Sequence, residues 1–183
     1  MKKIRRVKKS PSKQKKVRTS TPKQQSFSNI ALKHILVPID FSENSKKALR
    51  YAVPLAHQFN ASITLINIVE PTVFPSDFGF GQMSFPDVEK ELFDKAEEEL
   101  RSVAKEIPSA IPNDVAVKTG IPFVEVTNYA NDEQIDLIIV ATHGRTGVEH
   151  ILFGSTAEKI IRKAPCPVFV VRAEEHDFID ERV

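Results

Sequence analysis

Two short clusters in this 183-residue chain carry the residue types that sugar and phosphate chemistry requires. The first is Pro38-Ile39-Asp40-Phe41-Ser42, where an apolar run stops on a carboxylate and a hydroxyl. The second is Ala141-Thr142-His143-Gly144-Arg145-Thr146-Gly147, followed by Gly154-Ser155-Thr156. A glycine and two hydroxyl residues opening a helix place unpartnered N–H groups where an anion can be received. Glycine admits close backbone approaches that a Cβ hinders. The hydroxyls of Ser155 and Thr156 can add bonds to a phosphate, and Arg145 can pair with one or remain solvated. Asp40 stands where dinucleotide folds place an acid on ribose hydroxyls, and equally where a turn former or helix cap belongs. Ser155 with Glu158 three residues on also satisfies a capping box, which needs no ligand.

Other chemistries find no support. The chain has no G-x-x-x-x-G-K-[ST] phosphate loop, and Gly144-Arg145-Thr146-Gly147 is not the G-x-G-x-x-G fingerprint after a first strand. A G-x-S-x-G elbow is absent, and the five histidines have neither zincin nor finger spacing. The single cysteine, Cys166, excludes an intramolecular disulfide framework. Glu97-Glu98-Glu99 falls in a helical stretch and reads as solvated surface. With no nucleophile–base arrangement, the expectation is no catalytic residue and at most slow hydrolysis.

The elements that must position these clusters follow from hydrophobic periodicity. His34–Ile39, Ala61–Val69, Val115–Val117, Leu137–Ala141 and Pro167–Val171 read as strands. Ser42 caps a helix from Glu43 whose apolar face is Ala48, Leu49, Ala52, Leu55, Ala56 and Phe59, and Pro54 is expected to bend or split it. Residues 70–83 form a long loop. Ser84 begins a helix with the stripe Val88, Leu92, Ala96, Leu100, Val103 and Ile107, expected to reach Ile107. Pro122 opens a third helix carrying Phe123, Val126 and Ala130, and a fourth spans Ser155–Lys163. Strands alternating with helices predict an open five-stranded, mostly parallel α/β sheet with helices on both faces, Rossmann-like.

The formal charge of +2 conceals a division. Residues 1–30 hold 11 Lys or Arg and no acid, leaving 15 basic against 24 acidic residues in the other 153, a net −9. The expected organisation is a disordered basic arm at 1–30, one domain at 31–172 and an acidic tail at 173–183. Such an arm can attach to nucleic acid or an anionic surface through counterion release, without sequence specificity, or serve as a solubilising or self-associating tail. No apolar run approaches the ~20 residues that span a bilayer, and the charged start lacks a secretory apolar segment. A cytoplasmic location is the expectation.

Residues 33–172 resemble the universal stress protein family. The match is carried by Ile35–Ser42, with Ser45, Ala48, Leu49 and Ala52, then by Asp136–Gly147, Leu152–Glu158 and Pro165–Val171. The ATP-binding branch of that family has the pattern G-x-x-G-x9-G-[ST]. Gly144, nine intervening residues, Gly154 and Ser155 fit it, while Ala141 replaces the first glycine. The resemblance implies an adenine nucleotide, ATP or AMP, with Mg2+ as an optional companion. Asp40 would hold the ribose, the Pro38-Ile39 backbone would frame adenine, and Ala141 and Gly144 would line the nucleotide. Gly154, Ser155, Thr156 and Arg145 would receive phosphates. It also implies a homodimer through Val168–Val171, a regulatory role and a protein partner. The competing expectation is a dimeric scaffold of the same fold that binds no nucleotide.

Overall fold

The computed structural model describes residues 29–71, 86–142, 154–173 and 179. The chain divides into two units, residues 1–30 and 31–183, and the elements below belong to the second. In chain order they are β1 His34–Pro38, α1 Glu43–Phe59, β2 Ser62–Val69, α2 Pro86–Ala104, β3 Asn113–Thr119, α3 Pro122–Asp132, β4 Leu137–Ala141, α4 Ser155–Lys163 and β5 Val168–Val171. The strands make one sheet in the order β3-β2-β1-β4-β5, with every pairing parallel. This is the predicted Rossmann-like architecture.

Successive strand side chains face opposite sides of a sheet. Ile35, Val37, Ile39, Ile63, Leu65 and Ile139 therefore pack on one face with Leu49 and Ala52 of α1 and Leu100 and Val103 of α2. Leu36, Ile66, Ile138 and Val140 pack on the other with Val126 and Ala130 of α3 and Ala157 and Ile160 of α4. Double coverage explains why β1 and β4 read as nearly unbroken apolar runs.

Local details correct several expectations. The α1 helix is continuous through Pro54, so the predicted split does not occur. Pro54 and Arg50 both lie on the exposed side of α1, so the missing helical bond falls away from the packed face. The α2 helix ends at Ala104, short of the predicted Ile107. Lys105, Glu106 and Ile107 donate to the carbonyls three residues back, a tightened turn ahead of Pro108 that still buries Ile107. The cap expected at Ser84 and the loop expected over 70–83 lie largely outside the described residues. The β3 strand is longer than predicted, because Asn113–Thr119 pairs in full with Ile63–Val69. Gly120 ends it at φ +149, and a Cβ there would lie 2.9 Å from Glu125 Oε1. Among the described residues, no helix is long and apolar enough to cross a membrane.

At the amino edge of the sheet, Asp136 joins β4 to β1. Its Oδ2 accepts from the N–H groups of Lys33 at 2.8 Å and His34 at 3.0 Å. The Lys33 N–H, aided by that of His34, holds the carboxyl below the ordinary aspartate value against a smaller opposing desolvation. A depressed native pKa stabilises the fold above the unfolded pKa, and the contribution disappears as pH falls through the native value. Asp136→Ala is expected to lower stability by about 1 kcal/mol at neutral pH. In urea unfolding, the gap from wild type should narrow as pH drops below ~4. A gap that does not change with pH contradicts this account.

Candidate functional site

In an open parallel sheet, a crevice forms at the carboxyl ends of the strands where the strand order reverses. Here the reversal falls between β1 and β4. A cavity of about 730 Å³ occupies that edge. Pro38, Ile39, Asp40, Ala141, Gly154, Ser155 and Thr156 all line it, so both sequence clusters contribute to one surface. Gly144 and Arg145 lie outside the described residues.

The β1 side is built by a sharp turn. Phe41 has φ +65, a left-handed conformation unusual for a residue with a side chain. The turn brings Asp40 Oδ1 within 3.1 Å of Ser42 N and 2.6 Å of Ser42 Oγ, both of which donate to it. Ser42 Oγ in turn accepts from Ser45 N at 3.2 Å, capping α1. The turn-forming and cavity-lining readings of Asp40 therefore coexist: its half-buried carboxylate organises the turn and faces the cavity.

The Ile39 backbone is less available than the sequence suggested. Its N–H donates to Ile66 O at 2.8 Å, and its carbonyl accepts from Asn67 Nδ2 at 2.7 Å. With both polar groups engaged and the residue 2% exposed, Ile39 supports the cavity wall but has little left to bond a base.

The α4 side also departs from expectation. Gly154 is the N-cap, with φ −62 and ψ 148 and no side-chain cap bond. Ser155 is already the first helical residue, so the Ser155–Glu158 capping box does not form. Glu158 instead pairs with Arg162 at 3.0 Å. Gly154 N donates to Thr142 O at 2.7 Å, fastening the start of α4 to the end of β4. A Cβ on Gly154 would lie 3.1 Å from that same backbone oxygen, so glycine serves here for clearance. Ser155 and Thr156 are exposed, at a helix start that no side chain caps.

Sequence reasoning missed the β2 and α2 walls. Ile66 through Glu70 line the cavity, as do Leu92, Lys95, Ala96 and Glu99 of α2. The β1–β2 ladder stops at Pro38↔Ile66, whereas β2 continues against β3 as far as Val69↔Thr119. Val69 O accepts from Gly120 N on the β3 side. By alternation, the Ile68 peptide N–H and C=O turn toward the crevice beyond the end of β1. The readable signal was Asn67, a polar residue inside an otherwise apolar strand end. Lys95 Nζ lies 3.9 Å from Glu99 Oε1, a loose and exposed pair. Among the described residues, no group of three or more His, Cys, Asp or Glu can hold a metal ion.

The sheet order, the strand-end crevice and the helix start that lines it define an open-sheet, Rossmann-like α/β protein. The sequence model described as the universal stress protein family matches residues 31–172. The chain belongs to the universal stress protein family. Universal stress protein MJ0531 of Methanocaldococcus jannaschii is 33% identical over 143 residues, covering 76% of this chain and 82% of that protein. The solved universal stress protein UspA from Lactobacillus plantarum is 28% identical with a TM-score of 0.65, covering 79% of this chain and all of its own. A universal stress protein solved in complex with cAMP shares the fold at 20% identity and a TM-score of 0.57, covering 79% of this chain and all of its own.

Proposed function

We propose that this universal stress protein belongs to the ATP-binding branch, binds ATP or AMP in the β1/β4 crevice and acts as a regulator with at most slow hydrolysis. The observation that carries this reading is the convergence of Asp40 and the glycine-capped start of α4 on one cavity at the strand-order reversal. The ribose hydroxyls meet the Asp40 carboxylate. The phosphates meet the first N–H groups of α4 and the hydroxyls of Ser155 and Thr156. Arg145, which lies outside the described residues, is the charge proposed for the phosphate end. The base lies toward the end of β2, where the Ile68 peptide offers one donor and one acceptor, and Ile39 serves as wall. The cAMP complex of a family member that shares the fold is consistent with such a ligand.

Ala141 fits this reading. It does not have a positive φ, so the position makes no conformational demand for glycine. Its side chain packs against the cluster on the α1 face. Mg2+, if present, would be held mainly by the phosphates themselves.

Calorimetry with AMP and ATP tests the proposal. Saturable binding is expected, weakened about tenfold in Asp40→Asn, which removes the charge while retaining an oxygen for Ser42. No heat and no thermal shift at millimolar nucleotide would falsify it.

A further inference from the structure

Asn67 interrupts the apolar run Leu65-Ile66-Asn67-Ile68-Val69 at the end of β2, is only 8% exposed and lines the cavity. A buried polar side chain is expensive unless its bonding capacity is met. One of the two Nδ2 hydrogens is used internally, donated to the Ile39 carbonyl at 2.7 Å. That bond fixes the amide orientation, since the reverse would set two oxygens against each other. The acceptor atom of the amide is Oδ1. It has no hydrogen-bond partner among the described residues, yet no buried side-chain polar atom among them is unsatisfied. The oxygen is therefore accessible, and the cavity that Asn67 lines is where a residue so buried can open.

A neutral acceptor oxygen, fixed by the bond its own nitrogen makes, welcomes a donor and disfavours another acceptor. The neighbouring Ile68 peptide turns a further N–H and C=O toward the same crevice. A 6-aminopurine suits this wall, because its exocyclic amine donates two hydrogens beside the ring acceptor N1. A 6-oxopurine reverses both features, presenting O6 as an acceptor and N1–H as a donor. Resting on the nucleotide reading of this cavity, we propose that Asn67 is its base-selecting residue: Oδ1 accepts from the exocyclic amine and excludes a 6-oxo base. Discrimination of this kind is strong, because the wrong base leaves buried acceptors facing one another without a proton between them.

The test titrates AMP, IMP and purine riboside monophosphate, which lacks any 6-substituent, into wild type and Asn67→Thr. Threonine suits a strand and keeps a hydroxyl able to donate to the Ile39 carbonyl, but it cannot reproduce the amide acceptor. Wild type should bind AMP about tenfold more tightly than purine riboside monophosphate, and IMP more weakly still. In Asn67→Thr that ratio should fall severalfold, the Ile68 carbonyl keeping one bond to the amine, while affinity for purine riboside monophosphate holds, which also shows the variant to be folded. An unchanged ratio in the folded variant overturns the assignment of Asn67 alone. Equal affinity of wild type for AMP and purine riboside monophosphate does the same without any variant. Failure of wild type to bind AMP at all removes the nucleotide reading and the selectivity built on it.

Discussion

Leu100→Ala is expected to destabilise the fold by about 2–5 kcal/mol, while Leu92→Ala, two turns earlier on the same helix, changes stability by less than about 1 kcal/mol. Both leucines belong to one stripe of α2, and periodicity alone treats them as equivalent. Leu100 is 0% exposed and packs into the cluster that includes Ile63, Leu65 and Val103 beneath the sheet. Removing its side chain leaves a cavity that close-packed neighbours only partly refill, so transfer and packing losses add. Leu92 is 39% exposed and borders the crevice, where the freed volume opens to solvent. Urea unfolding of the two single variants makes the comparison. Similar losses in both would mean that the amino half of α2 is as firmly packed as its carboxyl half.

The same stripe shows how far the sequence carries. Periodicity located α2 because an amphipathic helix needs only an average burial along one face. It could not show that Val88 and Leu92 lie on the exposed half, because burial depends on where the sheet ends beneath the helix. All five strands and four helices were legible for a related reason: apolar runs bounded by glycine, proline or a cap suit doubly covered parallel strands and the crossovers between them. Half of the candidate site was equally legible, since Asp40 and Gly154-Ser155-Thr156 are unusual residue types at element ends. The β2 half was not. Ile68 contributes through its peptide groups, which no residue type announces, and their direction follows from a register in which β2 outruns β1 past Pro38↔Ile66. The capping-box reading of Ser155 failed because N-cap position is decided by backbone dihedrals, and the extended residue before the first helical one is Gly154.

Gly154→Val is expected to reduce AMP binding by at least about a hundredfold, or below detection, and Gly154→Ala by about tenfold, with the global fold retained in both. Clearance, not backbone conformation, demands glycine here, because Gly154 has φ −62 and ψ 148, which any residue can adopt. A Cβ would sit 3.1 Å from Thr142 O, tighter than an ordinary contact, and that oxygen belongs to backbone at the end of a central strand. It also accepts the 2.7 Å bond from Gly154 N, so the new carbon presses on the atom that positions the start of α4. The contact cannot be relieved by rotating a side chain. Either α4 moves away from β4 or the Gly154–Thr142 bond lengthens. Alanine requires a shift of a few tenths of an ångström, whereas the branched valine adds two methyl groups and forces a larger one. Hydrogen bonds from helix N–H groups to phosphate weaken steeply with such displacement. The hydrophobic anchors of α4, Ala157 and Ile160, lie deeper in the second core cluster and should keep the helix on the sheet. Circular dichroism and thermal melting are thus expected to change little while calorimetric affinity falls in the order Gly, Ala, Val. Wild-type affinity in Gly154→Val, with the fold intact, would show that the start of α4 does not receive the phosphates and would move the anion end of the ligand elsewhere in the crevice.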